Sequence, residues 1–267
     1  MRLYHSPQGL YDFQAEDVAR AYLRDVNVAV WDCGVGKTHL AMALAALLFE
    51  DGLIDHCFVI AERNKVDKQE WPKDFATYTS LDSVAYYGTP ARRAKIRANL
   101  PQVIISTYET MRADIAEWIE VEPKRGRRKA KKKLVPSQWI ESLAGKRILV
   151  VYDEPPVKLK NRTKNTTYDA HYLMINRLRK IASVRILGLT GTPMDKGFVD
   201  VFNYMRIFAP EYAGPVNYFE KNYTTGRDNF GNILGYKNTC PEDQTDLDVP
   251  LFPERFSPVV LRRRKTD

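Results

Sequence analysis

Two short constellations in this sequence combine residue types and spacings suited to phosphate chemistry. Gly34-Val35-Gly36-Lys37-Thr38 follows an apolar run near 26–31 and precedes a strongly helix-forming stretch, THLAMALAALLFEDG. Glycines in such a loop let backbone N–H groups turn inward around phosphate oxygens, and the helix that follows adds positive potential at its N-terminus. In that setting Lys37 reaches terminal phosphates and Thr38 offers its hydroxyl to Mg2+, while Val35 and His39 belong to the same binding segment. The strict pattern GxxxxGK[ST] would put a glycine at position 31, where Trp31 stands instead.

The second constellation is Asp153-Glu154, which leaves another apolar run, RILVVY, 116 residues beyond Lys37. An Asp-Glu pair alone carries no information; its position does. Open α/β sheets bind ligands outside the carboxyl ends of their strands, so an acid pair leaving a buried strand points into the crevice that holds the phosphate loop. Asp153 is therefore expected to hold Mg2+, directly or through water, and Glu154 to polarise an attacking water, with Lys37, Asp153 and Glu154 as the catalytic set.

Such groups need a scaffold, and the sequence supplies one. Short apolar runs rich in β-branched residues recur at 26–31, 56–61, 102–106, 147–152 and 184–190, with helical patterns between them. Runs apolar on both faces mark buried parallel strands, and their alternation with helices predicts a doubly wound, mainly parallel α/β sheet. Strand signals fade after about 198, and 223–258 is rich in Gly, Pro, Asn and Asp. The expected organisation is one lobe over 1–222 and an irregular tail over 223–267.

At 267 residues with 44% hydrophobic content, the chain is long enough to bury a sizeable core. No apolar run approaches the roughly 20 residues of a membrane span, and the first residues lack the apolar core of a signal peptide. A soluble chain, cytoplasmic or nuclear, is expected. Three cysteines, Cys33, Cys57 and Cys240, form neither a CxxC pair nor an even disulfide set, which argues against structural zinc. The net charge of +8 is one local feature: Lys124 to Lys133 holds eight basic residues and no acid, so the rest of the chain is neutral. A block of like charges repels itself, which predicts a disordered insertion at about 121–136, either a non-specific phosphate-binding arm or a solvated loop.

Several further blocks, in order, resemble superfamily-two helicases and translocases of the Swi/Snf type, specifically their N-terminal, RecA-like ATP-binding lobe. Leu10-Tyr11-Asp12-Phe13-Gln14 is similar to the glutamine motif, which implies that Gln14 reads the adenine of ATP. Gly34 to Thr38 matches motif I. The segment 59–75, VIAERNKVDKQEWPKDF, resembles motif Ia, a strand followed by a helix carrying a Trp and an acidic end. VIISTYETM at 103–111 resembles the family's Thr-Tyr-Glu block, which implies that Thr107 and Tyr108 face a nucleic-acid backbone. Asp153-Glu154 followed by Lys158-Leu159-Lys160-Asn161 looks like motif II with the family's Lys-Asn extension, giving Lys160 and Asn161 to nucleic acid. Leu189-Thr190-Gly191-Thr192-Pro193 matches motif III, whose Thr190, Gly191 and Thr192 would sense the motif II carboxylate and couple hydrolysis to movement. The segment 259–265, VVLRRRK, resembles the basic stretch leading into the second lobe.

The resemblance implies ATP and Mg2+ as cofactors, double-stranded DNA as partner, and backbone gripping without base reading. Two departures stand out. Pro155 and Pro156 follow the acid pair where the family has a small residue and then histidine. The motifs of the second lobe, on this chain or another, lie outside these residues, and with them the arginine finger worth roughly 10³–10⁵ in rate. The chain alone is thus expected to bind ATP and hydrolyse it weakly, and the block that holds Arg262, Arg263 and Arg264 matches a linker rather than a finger. A non-catalytic nucleic-acid or partner-binding module that uses ATP as a conformational switch is the alternative. A small-molecule P-loop kinase would explain neither ISTYET nor LTGTP.

Overall fold

The computed structural model describes residues 1–121, 131–160, 166–195, 197–229 and 231–265. Its strands are β1 (Val26–Trp31), β2 (His56–Ala61), β3 (Ser83–Tyr86), β4 (Val103–Thr107), β5 (Ala116–Val121), β6 (Lys131–Pro136), β7 (Arg147–Asp153), β8 (Ser183–Thr190) and β9 (Val260–Arg263). The helices are α1 (Asp12–Tyr22), α2 (Lys37–Glu50), α3 (Arg63–Asp67), α4 (Glu70–Tyr78), α5 (Pro90–Ala98), α6 (Tyr108–Ile115), α7 (Gln138–Glu141), α8 (Pro155–Leu159), α9 (Thr166–Ile181), α10 (Phe198–Phe208), α11 (Pro210–Ala213) and α12 (Val216–Tyr223).

Seven strands form one parallel sheet in the order β3-β4-β2-β7-β8-β1-β9. The reason is visible along β7, where Ile148, Val150 and Tyr152 enter one apolar core and Leu149 and Val151 enter another. With both faces apolar, the strand must be covered on both sides, and only helical crossovers can do that for parallel neighbours. On one face lie α6, α9 and α10; on the other α2 and α4 pack with α1. Residues 40–46 of α2 are buried without a break, as expected for a helix apolar all round. Gly52, at φ 60°, ends the last turn of that helix, and its N–H donates to the Phe49 carbonyl.

Two expectations need correction. The insertion expected to be disordered over 121–136 is in part a strand: β6 pairs antiparallel with β5, with Glu120 opposite Lys132. A cross-strand acid offsets the self-repulsion that the basic run alone predicts; residues 122–130 lie outside the described ones. The stretch read as an irregular tail is irregular for most of its length but does not end so. Phe252 and Phe256 enter the core, and β9 adds a seventh strand alongside β1, with Ala29 opposite Leu261.

A buried imidazole sits within this scaffold. His171 on α9 lies between Tyr108 and Tyr152, with Nδ1 3.2 Å from the Tyr152 hydroxyl and Nε2 3.4 Å from the Tyr108 carbonyl. Burial pushes its pKa down to about 4. The folded state therefore binds the proton less readily than the unfolded chain. Its contribution to stability is complete above the unfolded value of about 6.5 and is lost as pH falls toward 4, on the order of 3 kcal/mol in all. Urea midpoints measured from pH 7 to pH 4 should fall more steeply for the wild type than for His171→Phe; parallel curves would refute this.

Candidate active site

The phosphate loop is built by β1 on one side and α2 on the other. Gly34 and Gly36 both take positive φ, 86° and 89°, the left-handed region that glycine enters without penalty. At Gly36 there is also no room: a Cβ would fall 2.3 Å from the Gln14 Nε2. Gln14 is held there by its own bonds, donating from Nε2 to the Val35 carbonyl at 3.0 Å and accepting the Tyr11 N–H at Oε1, also 3.0 Å. The residue expected to read adenine thus braces the loop in this structure. Beside it, Tyr11 and Phe13 stack 5.9 Å apart and nearly parallel. With Gln14, Val35, Gly36 and His39 they line a cavity of about 320 Å³, within the range of ligand-binding clefts. His39 is fixed by the Tyr4 hydroxyl at 2.8 Å.

Trp31, which takes the place of the first motif glycine, is fully buried and meets Phe13 edge-on. Its carbonyl accepts from Lys37 Nζ at 3.0 Å, and Nζ lies 3.7 Å from Glu154 Oε1. The motif I lysine and the motif II glutamate, 117 positions apart, therefore share one site. Gly191 packs closely here: a Cβ would lie 3.2 Å from Lys37 Nζ and 3.0 Å from Cys33 Sγ, so a larger residue would crowd the pair.

Glu154 adopts a left-handed backbone conformation, φ 51° and ψ 58°, rare for a residue with a long side chain. Its N–H donates to Leu189 on the neighbouring strand at 2.7 Å. The carboxylate turns to the end of β8, where the Thr190 hydroxyl donates to Oε2 at 2.7 Å and the Gly191 N–H lies 3.2 Å from Oε1. The Thr192 N–H in turn donates to Thr190 Oγ1 at 3.1 Å. Thr192 and Thr190 thus form a short hydrogen-bonded chain ending on Glu154, and Gly191 donates to the same carboxylate directly.

Asp153 is almost wholly buried at the end of β7. Two donors converge on its Oδ2: Lys65 Nζ from α3 and Trp71 Nε1 from α4, each at 2.8 Å. Burial opposes the Lys65 charge, yet the Asp153 carboxylate beside it raises its pKa above the ordinary lysine value. Neither donor was assigned a role from sequence. Both lie within the motif Ia match at 59–75, but Lys65 meets Asp153 across 88 positions, and its own sequence neighbourhood does not mark that contact.

The expected nucleic-acid residues fare differently. Tyr108 does not face solvent: it opens α6 by turning inward and is fully buried, with its hydroxyl donating to the Asp153 carbonyl at 3.0 Å. Thr107 is also buried, and its Oγ1 caps α6 by accepting the Thr110 N–H. Lys160 pairs with Asp195 near the surface. Asn161 lies outside the described residues. Arg263 is occupied by Asp17 and Glu16 of α1, at 2.9 and 2.5 Å, which fixes β9 and explains why it cannot act as a free arginine.

A protein-family model described as "Type III restriction enzyme, res subunit" matches residues 16–195, which span the phosphate loop, the acid pair and the Thr190 turn. The chain belongs to that family. The res-family chain is 24% identical over 284 residues to the bovine (Bos taurus) "DNA excision repair protein ERCC-6-like", covering 97% of this chain and 20% of that protein. It is 24% identical over 243 residues to the "Transcription regulatory protein SNF2" of Saccharomyces cerevisiae, covering 88% of this chain and 12% of that protein. It therefore spans a fifth or less of these relatives. Among solved structures, the Sulfolobus solfataricus SWI2/SNF2 ATPase core in complex with dsDNA aligns with a TM-score of 0.65 at 18% identity, over 100% of this chain and 46% of that one. The expected Swi/Snf-type, RecA-like lobe is thus the fold observed.

The family implies nucleotide, usually with Mg2+, and the donor set fits it. A buried carboxylate already compensated by a cation, with a threonine hydroxyl at the start of α2, is the sparse oxygen set that Mg2+ takes alongside phosphates. Among the described residues no cluster of three or more His, Cys, Asp or Glu forms a protein-only metal cage, and no helix is long and apolar enough to cross a membrane.

Proposed function

We propose that this chain is the ATP-binding lobe of a DNA-dependent motor ATPase that couples ATP hydrolysis to movement along duplex DNA. The observation that carries the reading is the Glu154 carboxylate, 3.7 Å from Lys37 and gripped by Thr190 and Gly191. A carboxylate tied to the neighbouring strand end conveys its state to that strand, as a motor requires and a simple binding module does not. The SWI2/SNF2 core solved with dsDNA supports duplex DNA as the partner.

In this reading the loop from Gly34 to Thr38 wraps the phosphates, Lys37 neutralises the terminal ones, and Tyr11, Phe13 and Gln14 take the base. Bound Mg2+ would be held by Thr38 and Asp153 and would supply charge neutralisation on the phosphates. Glu154 orients and deprotonates the attacking water, and its bonds to Thr190 and Gly191 change when it gains that proton. Lys160 and Asn161 remain proposed phosphate contacts. Residues 1–222 form the main lobe in this proposal, and 223–267 contribute its closing strand. A second lobe, on this chain's continuation or another chain, supplies the arginine that accelerates turnover.

The test is ATP binding and hydrolysis by the chain with and without double-stranded DNA. Micromolar ATP binding with weak turnover, raised by DNA once a second lobe is supplied, is expected. Absence of ATP binding would overturn the reading altogether. Strong DNA-stimulated turnover by the chain alone would refute the need for a second lobe.

A further inference from the structure

We propose that Lys65 and the divalent cation compete for Asp153, so that loading of the metal–nucleotide requires the Lys65 ammonium to leave. The inference rests on reading Asp153 as the metal-holding carboxylate, and extends it to Lys65, a residue to which the motif Ia match gave no role. Its basis is the contrast between the two groups on Asp153 Oδ2. Trp71 is 2% exposed, neutral and packed on Phe75, and its indole N–H serves as a fixed partner that a metal ion can share a carboxylate with. Lys65 is a cation whose side chain is 31% exposed above an aspartate side chain 3% exposed. It sits on a five-residue helix and has an open route to water that Trp71 lacks.

Charge decides which partner yields. The Lys65 ammonium, 2.8 Å from Oδ2, and a dication held by the same carboxylate would repel each other, the more so because the aspartate side chain is only 3% exposed. A buried carboxylate left without any cation is equally unfavourable. One cation or the other is therefore favoured on Asp153, and Lys65 acts as a built-in counter-ion that holds the carboxylate at the β7 end in place. It is a positioning residue, because it holds Asp153 and touches no reacting atom.

The experiment measures metal binding rather than turnover. Mn2+ is titrated into the chain with ADP present and free Mn2+ is read by electron paramagnetic resonance, for wild type, Lys65→Met and Lys65→Arg; ADP affinity in EDTA is measured in parallel. Lys65→Met should bind Mn2+ about tenfold more tightly and Lys65→Arg close to wild type, with ADP affinity in EDTA unchanged in both. Equal or weaker Mn2+ binding by a folded Lys65→Met would overturn the proposal and leave Lys65 a structural cation. Should that variant not fold, acetylation of the wild-type chain with mass-spectrometric readout decides. Modification of Lys65 should rise when Mn2+ and ADP are added together and stay unchanged with ADP in EDTA; no rise overturns the competition. Failure of the wild type to bind Mn2+ or ADP at all would instead overturn the nucleotide-site reading.

Discussion

Lys37→Ala should lower nucleotide affinity roughly a hundredfold while leaving the fold intact, because it removes the only side-chain cation in the phosphate loop and its charge-assisted bonds to phosphate oxygens. The fold is spared because, among the described residues, Lys37 bonds only to the Trp31 and Asp32 carbonyls and lies 3.7 Å from Glu154. Glu154 retains Thr190 and Gly191 when the lysine is gone. Titration with a fluorescent ATP analogue, beside circular dichroism of both proteins, checks this; an affinity within threefold of wild type would remove Lys37 from the phosphate site.

Glu154→Gln separates binding from chemistry. Glutamine keeps the volume of the side chain and an acceptor oxygen for the Thr190 hydroxyl, so the turn after β7 and the loop should be unchanged. What it loses is the charge and basicity needed to take a proton from water, a loss of about 10²–10⁴ in rate for a general base. Single-turnover hydrolysis, with protein in excess over ATP and duplex DNA present, reads even a slow rate. The expected result is turnover reduced about a thousandfold with nucleotide affinity within threefold of wild type. A reduction under tenfold would mean that another group activates the water.

The central strands and the nucleotide loop were legible because their signals are local. A run such as RILVVY announces a strand buried on both faces, and the type of residue at Gly36, Lys37 and Glu154 carries its chemistry with it. What escaped the sequence depends on distant partners. Lys132 looked like part of a repelling basic run, Lys124 to Lys133, until Glu120 was placed opposite it. Arg263 sits in a strand paired with β1, and its guanidinium is received by Asp17, 246 positions earlier. β3 has four residues, three of them only half buried, too short and too mixed to stand out. Tyr108 was assigned to nucleic acid on its motif alone. Its side chain direction follows instead from the start of α6, where the first helical residue turns toward His171 and the Asp153 carbonyl.

The pairing of β9 with β1 also sets an order of events. The Asp32 N–H, at the entry to the phosphate loop, donates to the Arg263 carbonyl at 3.2 Å, and the Lys265 N–H donates to Asp32 Oδ2 at 3.1 Å across 233 positions. Contacts of such long sequence separation form late, after the local helices and the inner strands have assembled. During synthesis the loop residues leave the ribosome early, yet the strand that steadies their entry emerges more than two hundred residues afterwards. A nascent chain therefore carries the complete phosphate-binding sequence long before the strand that steadies the entry to its loop has been made.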